Sequence, residues 1–177
     1  DLDYINNSTN GVLTANRYLL EGRYEWLFSE ESPWKLFSHG LLELDDFKAF
    51  DQRISTDLGV GYSLIDNDVQ QLKPRVGAGV SREFGGPDDE WVPEASLGLE
   101  YELHVSDRQK IGFEANFYPS WESFADYRLK TRADWEILVD EATNLSLKFG
   151  VIDVYDSTPN GARPNDINYT AVALWKF

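Results

Sequence analysis

The stretch Arg53-Ile54-Ser55-Thr56-Asp57-Leu58-Gly59-Val60-Gly61-Tyr62-Ser63-Leu64 carries two compositions in one run. Its even positions are apolar or β-branched, from Ile54 through Leu58 and Val60 to Leu64, while its odd positions are charged, small or polar. Successive side chains of a strand point to opposite faces, so this period of two predicts a strand with one oily side and one polar side. The last nine residues repeat the pattern. Tyr169, Ala171, Ala173, Trp175 and Phe177 share one parity against Thr170 and Lys176, which predicts that the end of the chain lies in a sheet.

Working outward from these two runs, the same alternation recurs along most of the chain. One set of faces carries Leu97, Leu99, Tyr101 and Leu103, then Ile111, Phe113 and Phe117, then Trp135, Ile137 and Val139, then Leu147, Phe149 and Val151, none of them charged. The opposite faces carry ions of both signs. They hold Arg53 and Asp57; Arg75; Glu94, Glu100 and Glu102; Glu114; Arg128, Lys130, Arg132, Asp134 and Glu136; and Lys148. From Trp34 to Asp45 the register is mixed, with Phe37 and Leu41 sharing the parity of His39 and Glu43; the charged parity is assigned to the interior.

Strands are expected at about residues 2–6, 16–29, 34–45, 52–65, 69–83, 91–105, 110–121, 127–139, 145–155 and 167–177, the first only a stub. The connectors alternate in kind. Those at 30–33, 66–68, 106–109 and 140–144 are tight, and those at 7–15, 84–90 and 156–166 are longer and rich in Gly, Pro, Asn and Asp, while 46–51 and 122–126 are modest. Short turns on one rim and longer loops on the other describe an up-and-down antiparallel sheet in a single domain. Pro74, Pro93 and Pro119 fall inside strand-like runs, where a residue without N–H demands a bulge or a strand end.

Alternation by itself fits a soluble sandwich, a lipocalin-like carrier of an apolar ligand, or a transmembrane barrel. Four features favour the barrel. Most segments exceed the roughly 9 to 11 residues that a tilted membrane strand needs. The connectors differ between rims. Aromatics such as Tyr24, Trp26, Phe28, Trp91, Trp121, Tyr127 and Trp175 fall near strand ends, where interfacial girdles lie. Gly59, Gly61, Gly77, Gly79, Gly98, Gly112 and Gly150 sit on the charged parity, leaving room for long ionic neighbours in a crowded interior. The expected fold is therefore all-β, an antiparallel up-and-down transmembrane β-barrel with about ten strands visible, or roughly twelve where two more precede Leu2.

Bulk composition narrows the functions. With 16 Lys and Arg against 31 Asp and Glu, a net charge of −15 repels phosphate backbones and argues against a nucleic-acid partner. There is no cysteine, so disulfides and thiolate metal sites are excluded. No window has the roughly 18 apolar residues of a membrane helix, and the mean hydropathy of −0.45 is uninformative for a barrel, whose polar lumen dilutes the average.

Several short runs resemble one known group. They are Leu13-Thr14-Ala15-Asn16-Arg17-Tyr18, Leu58-Gly59-Val60-Gly61-Tyr62-Ser63-Leu64-Ile65-Asp66, Val76-Gly77-Ala78-Gly79-Val80-Ser81-Arg82-Glu83, Tyr118-Pro119-Ser120-Trp121 with Asp126-Tyr127-Arg128-Leu129, and the aromatic terminus. In this order they resemble the domain-of-unknown-function family described as salt-induced outer-membrane proteins, over nearly the whole chain. The resemblance implies a bacterial outer-membrane β-barrel contacting outer-membrane lipids and lipopolysaccharide. It implies that Tyr169, Trp175 and Phe177 form the assembly signal read by the barrel-assembly machinery. It also implies about two further strands ahead of Leu2, and no established activity.

The chain is not expected to be an enzyme. A lipid hydrolase needs a nucleophile beside a base, but Ser38 and His39 are strand neighbours that point to opposite faces, and His104 lies by the Ser106 turn. No cofactor or metal is expected. Acidic loop residues Asp45, Asp46, Asp51, Asp88, Asp89 and Glu90 match no calcium-loop spacing and read as solvated. Arg128, Lys130 and Arg132 form a basic stripe and Glu94, Glu100 and Glu102 an acidic one. These interior charges either interlock as a plug or line a narrow passive channel for small solutes.

Overall fold

The computed structural model describes residues 2–9, 12–29, 31–87 and 89–175, with side chains described from residue 16 onward. Ten strands follow one another as a meander: β1 (Leu2–Thr9), β2 (Val12–Leu27), β3 (Trp34–Asp45), β4 (Gln52–Tyr62), β6 (Gln70–Phe84), β7 (Trp91–Ser106), β8 (Gln109–Pro119), β9 (Tyr127–Asp140), β10 (Leu145–Asp156) and β11 (Asn165–Trp175). The two-residue β5 (Ile65–Asp66) pairs with β6 off this path, lengthening the β4–β6 turn. Every pairing is antiparallel and joins chain neighbours, and no helix occurs among the described residues. This is the up-and-down all-β sheet that the alternation predicts.

The sheet curls without closing. Among the described residues no pairing joins β1 to β11, so by hydrogen bonding the molecule is a half-barrel rather than the closed cylinder expected. The first strand is longer than a stub. β1 runs as a ladder with β2 from Leu2↔Leu20 to Thr9↔Val12, shifting register between Asn7 and Ser8, so most of 7–15 is a hairpin rather than a loop. The hint was present in the sequence as Asn10-Gly11, the pair that suits a two-residue hairpin turn, although those two residues lie outside the described ones. Asp1, Asp88, Lys176 and Phe177 also lie outside them.

The three prolines fit as strand ends and breaks. Pro119 is the last residue of β8. Pro74 falls where the β4 ladder has ended at Arg75 and the β5 ladder begins at Leu72. Pro93 lies beyond the β7–β8 ladder, its carbonyl accepting from Trp121 N at 2.9 Å, so the proline nitrogen faces no ladder partner.

The two faces differ sharply in exposure. Leu58 is 62% exposed and Phe113 40%, with Leu97, Leu99, Trp135 and Phe149 also on the open side, whereas Arg53 and Asp57 are 5% and 6% exposed. Among the described residues the buried apolar side chains are few, namely Leu19, Phe37, Phe50, Ala95 and Pro119, while His39, Glu43, Arg53, Asp57, Arg75 and Glu94 are buried. The concave side therefore holds the ions and the convex side the hydrocarbon, the inverse of a soluble core. The mixed β3 register resolves as assigned, with Phe37, His39, Glu43 and Asp45 buried and Trp34, Leu36 and Leu44 exposed.

Aromatics band both ends of the convex face. Toward the tight turns lie Tyr24 against Trp26 at 4.5 Å and Trp34 against Tyr62 at 4.7 Å. Toward the longer loops lie Phe117, Tyr127 and Tyr155 in a row at 5.1 and 5.6 Å, with Trp91 and Trp121 exposed nearby.

Candidate functional site

Because the interior parity is continuous from strand to strand, each ladder delivers ionic side chains to the same concave surface, and curling brings the two halves of the sheet face to face. Among the described residues, four ion pairs join strands far apart in sheet order: Arg17 on β2 with Asp166 on β11 at 3.1 Å, Glu21 on β2 with Lys130 on β9 at 2.5 Å, Arg23 on β2 with Glu114 on β8 at 3.1 Å, and Arg53 on β4 with Asp156 on β10 at 2.9 Å.

Toward the longer loops the interior is organised around two arginines. Arg53 meets Glu83, Asp156 and, at 3.7 Å, Glu43, and its guanidinium carbon lies 4.3 Å from the centre of the Phe50 ring. Arg128 donates to both Glu94 oxygens at 2.6 and 2.8 Å, and Ser81 donates to Glu94 at 2.9 Å. A single guanidinium nitrogen, Arg128 Nη2, serves both Glu94 oxygens, a charge-assisted contact stronger than a neutral hydrogen bond. Above them opens a vestibule of about 720 Å³, walled by these residues with Tyr118 and reaching loop residues Pro87, Glu122 and Asn160.

At the waist, His39 stands between two carboxylates, its Nδ1 2.6 Å from Asp57 and its Nε2 3.0 Å from Glu21. Ser96 donates to the other Asp57 oxygen at 2.8 Å. The cavity at this level is only about 50 Å³ and is walled by both halves of the sheet, from Glu21, His39 and Asp57 to Tyr118, Arg128 and Lys130. A space of that size holds a few waters.

Below the waist Arg75 donates to Glu100 at 2.7 Å, Glu114 at 2.9 Å and Asn116 at 3.3 Å. Glycines make this packing possible. A Cβ on Gly98 would stand 2.9 Å from Arg75 Nε and 3.0 Å from Asn116 Oδ1, and one on Gly59 would stand 2.7 Å from the Phe37 ring. Nearest the tight turns, Lys110 meets Glu102 at 3.1 Å, Lys148 meets Asp134 at 3.1 Å, and Arg132 reaches Asp134 at 3.7 Å. Glu136 stands in register with Lys110 and Lys148.

All thirteen interior ions expected from the sequence thus share the concave face, but their partners differ from the interlocking of two stripes. Only Arg128 and Glu94 join the stripes. Glu100 turns to Arg75, Glu102 to Lys110, Lys130 to Glu21 and Arg132 to Asp134. Strand tilt offsets residues of equal height, so stripes read along separate strands do not meet level by level. The interior ions expected from the sequence did not include Arg17, Glu21, Arg23, Glu83, Asp156 and Asp166. Glu21 and Arg23 share their parity with Arg17 and Leu19 in β2, and the in-register pair Arg53↔Glu83 was the readable sign for β6.

Both histidines face carboxylates. Ser38 lies on the opposite face from His39, as strand alternation requires, and both ring nitrogens of His39 face carboxylates rather than a hydroxyl. His104 lies by the turn, 3.5 Å from Glu102. Among the described residues no group of three or more His, Asp or Glu side chains is arranged to hold a metal ion. Of the acidic residues expected to be solvated, Asp45 instead ends β3 and is buried, accepting from Phe47 N at 2.9 Å, while Asp46 accepts from Asn16 at 2.6 Å and Asp89 from Arg82 at 2.8 Å. Of the proposed assembly residues, Tyr169 is 82% exposed and Trp175 is exposed as well.

A protein-family model described as "Protein of unknown function, DUF481" matches residues 1–177. No curated protein and no solved structure matches the chain.

Proposed function

The chain belongs to this family of unknown function, and from that premise we propose that it is an integral β-barrel of the bacterial outer membrane with a structural or stress-related role and a lumen plugged by its own ion pairs. The observation that carries the reading is the inversion of polarity. A convex face carrying Leu58, Leu97 and Phe113 has no reason to be this apolar in water, and a concave face dense with Arg53, Asp57, Arg75 and Glu94 has no reason to be this ionic in a soluble core. In hydrocarbon both become favourable, and the two aromatic bands fall where headgroups would sit.

In that setting the seam between β1 and β11 cannot stay open, because unpaired backbone N–H and C=O groups in lipid cost several kcal/mol each. Direct pairing of β1 with β11, or insertion of two further strands, keeps every neighbour antiparallel, whereas one inserted strand would not. The short turns would face the periplasm and the longer loops the lipopolysaccharide surface. Outer-membrane lipid, lipopolysaccharide and the barrel-assembly machinery are the proposed partners, the last through Tyr169, Trp175 and Phe177.

The plugged reading is preferred over a narrow solute channel because the waist cavity is about 50 Å³ and is crossed by the Glu21–Lys130 contact. Flotation with lipid vesicles after alkaline extraction tests the membrane reading. The barrel should float with the lipid and need detergent for solubility. Protein that stays monomeric in buffer and binds an apolar dye inside it would instead favour the soluble carrier.

A further inference from the structure

The waist contains one continuous polar relay from wall to wall. Lys130 on β9 contacts Glu21 on β2, Glu21 contacts His39 on β3, His39 contacts Asp57 on β4, and Asp57 accepts from Ser96 on β7. An ionised carboxylate has no proton to give, so contacts of 2.6 and 3.0 Å at the two ring nitrogens call for N–H on both, which only the imidazolium provides. The open vestibule of about 720 Å³ ends immediately above this layer, and Arg75 with its carboxylates begins below it.

We propose that the His39 imidazolium is a titratable latch that holds the waist shut, and that its deprotonation connects the vestibule to the lower lumen for water and small ions. The inference rests on the barrel reading above. Loss of either ring proton to solvent leaves a nitrogen lone pair facing a carboxylate at hydrogen-bond distance. Glu21 or Asp57 must then turn away, and with it goes either the Glu21–Lys130 contact that spans the lumen or the Asp57–Ser96 contact that holds the waist layer together. The groups that face His39 are Glu21 from β2 and Asp57 from β4, with Lys130 and Arg128 from β9, Tyr118 from β8, Glu94 from β7, Arg53 from β4 and Arg17 from β2 on the same small cavity. Glu43 lies further along its own strand. Of these, only the histidine has an unperturbed charge change between about pH 5 and 8.

The test is ionic current through the protein in planar bilayers, measured at about pH 5 and about pH 9, values bracketing ordinary histidine titration. Wild type should pass little current at the acidic value and clearly more at the alkaline one. His39→Arg, which keeps a cation with several donors, should stay closed at both, and His39→Gln should be open at both. His104→Gln should leave the pH step intact. Current in wild type that is absent or equal at both values, or a pH step that survives in His39→Gln, overturns the latch. Insertion is scored separately by flotation, so failure of the membrane reading shows as protein left unfloated. A second readout serves if a variant does not fold. The chain has two histidines, so selective ¹⁵N-histidine labelling of wild type in micelles gives two assignable ring signals. Two ring N–H protons on His39 at acidic pH, falling to one at alkaline pH with the ring-nitrogen shifts of a neutral tautomer, support the latch. A single neutral tautomer throughout overturns it.

Discussion

Asp57 and Leu58 are consecutive residues of β4, yet one is 6% and the other 62% exposed. Asp57 meets His39 and Ser96 on the concave side, and Leu58 stands out on the convex side. In a soluble sheet of this length the assignments would be reversed, with the leucine holding the fold together and the aspartate in water. The difference teaches where the organisation of this molecule lies. Its few buried apolar side chains cannot supply a core, so specificity of shape rests on which acid faces which base, and the convex face is left to match its surroundings.

That contrast can be broken from the inside first. Arg53→Ala would leave Glu43, Glu83 and Asp156 without their shared cation, and a loss of about 3–5 kcal/mol is expected from stranding buried charge. Reversible urea unfolding in micelles or bilayers reads it out. The opposite face is challenged by Leu58→Arg. If that position looks into hydrocarbon, about 2–4 kcal/mol is lost at mid-membrane depth, whereas an arginine on a solvated face changes stability by no more than about 0.5 kcal/mol. Bilayer folding titrations distinguish the two.

Smaller effects sharpen the interior. Glu114→Gln keeps the shape but removes the charge shared by Arg23 and Arg75, and about 1–3 kcal/mol should be lost in the same assay. Gly98→Ala asks Arg75 and Asn116 to retreat from the new methyl group, costing about 1 kcal/mol, with Arg75 losing its contact to Asn116 in ring-current or amide shifts. A convex-face change of the same size, Gly40→Ala, meets no atom within 4 Å and should be nearly silent.

Much of this arrangement was legible in the sequence because period-two patterning acts locally. Ile54 to Leu64, Leu97 to Leu103 and Trp135 to Val139 each declared their open face without help from any other strand, and the charged parity of β3 could be settled by His39 and Glu43 against Phe37. Partners were not legible. Whether Lys130 meets Glu94 or Glu21 depends on strand tilt and on how tightly the sheet curls, properties of the whole sheet rather than of any one run. The β1–β2 hairpin is hard to read because Asn6, Asn7, Ser8 and Thr9 have turn-like composition although they pair in a ladder. The open seam between β1 and β11 has no local sign at all, since edge pairing is decided by the far ends of the chain.

The most direct test of the inverted polarity uses the absence of native cysteine. Single nitroxide labels at Leu58→Cys, Leu97→Cys and Phe113→Cys, in protein reconstituted into phosphatidylcholine vesicles, report collision with oxygen, which concentrates in hydrocarbon, and with a water-soluble nickel chelate. High oxygen and low nickel accessibility at all three is the predicted result. High nickel accessibility there, with the protein free of the vesicles, would contradict the account.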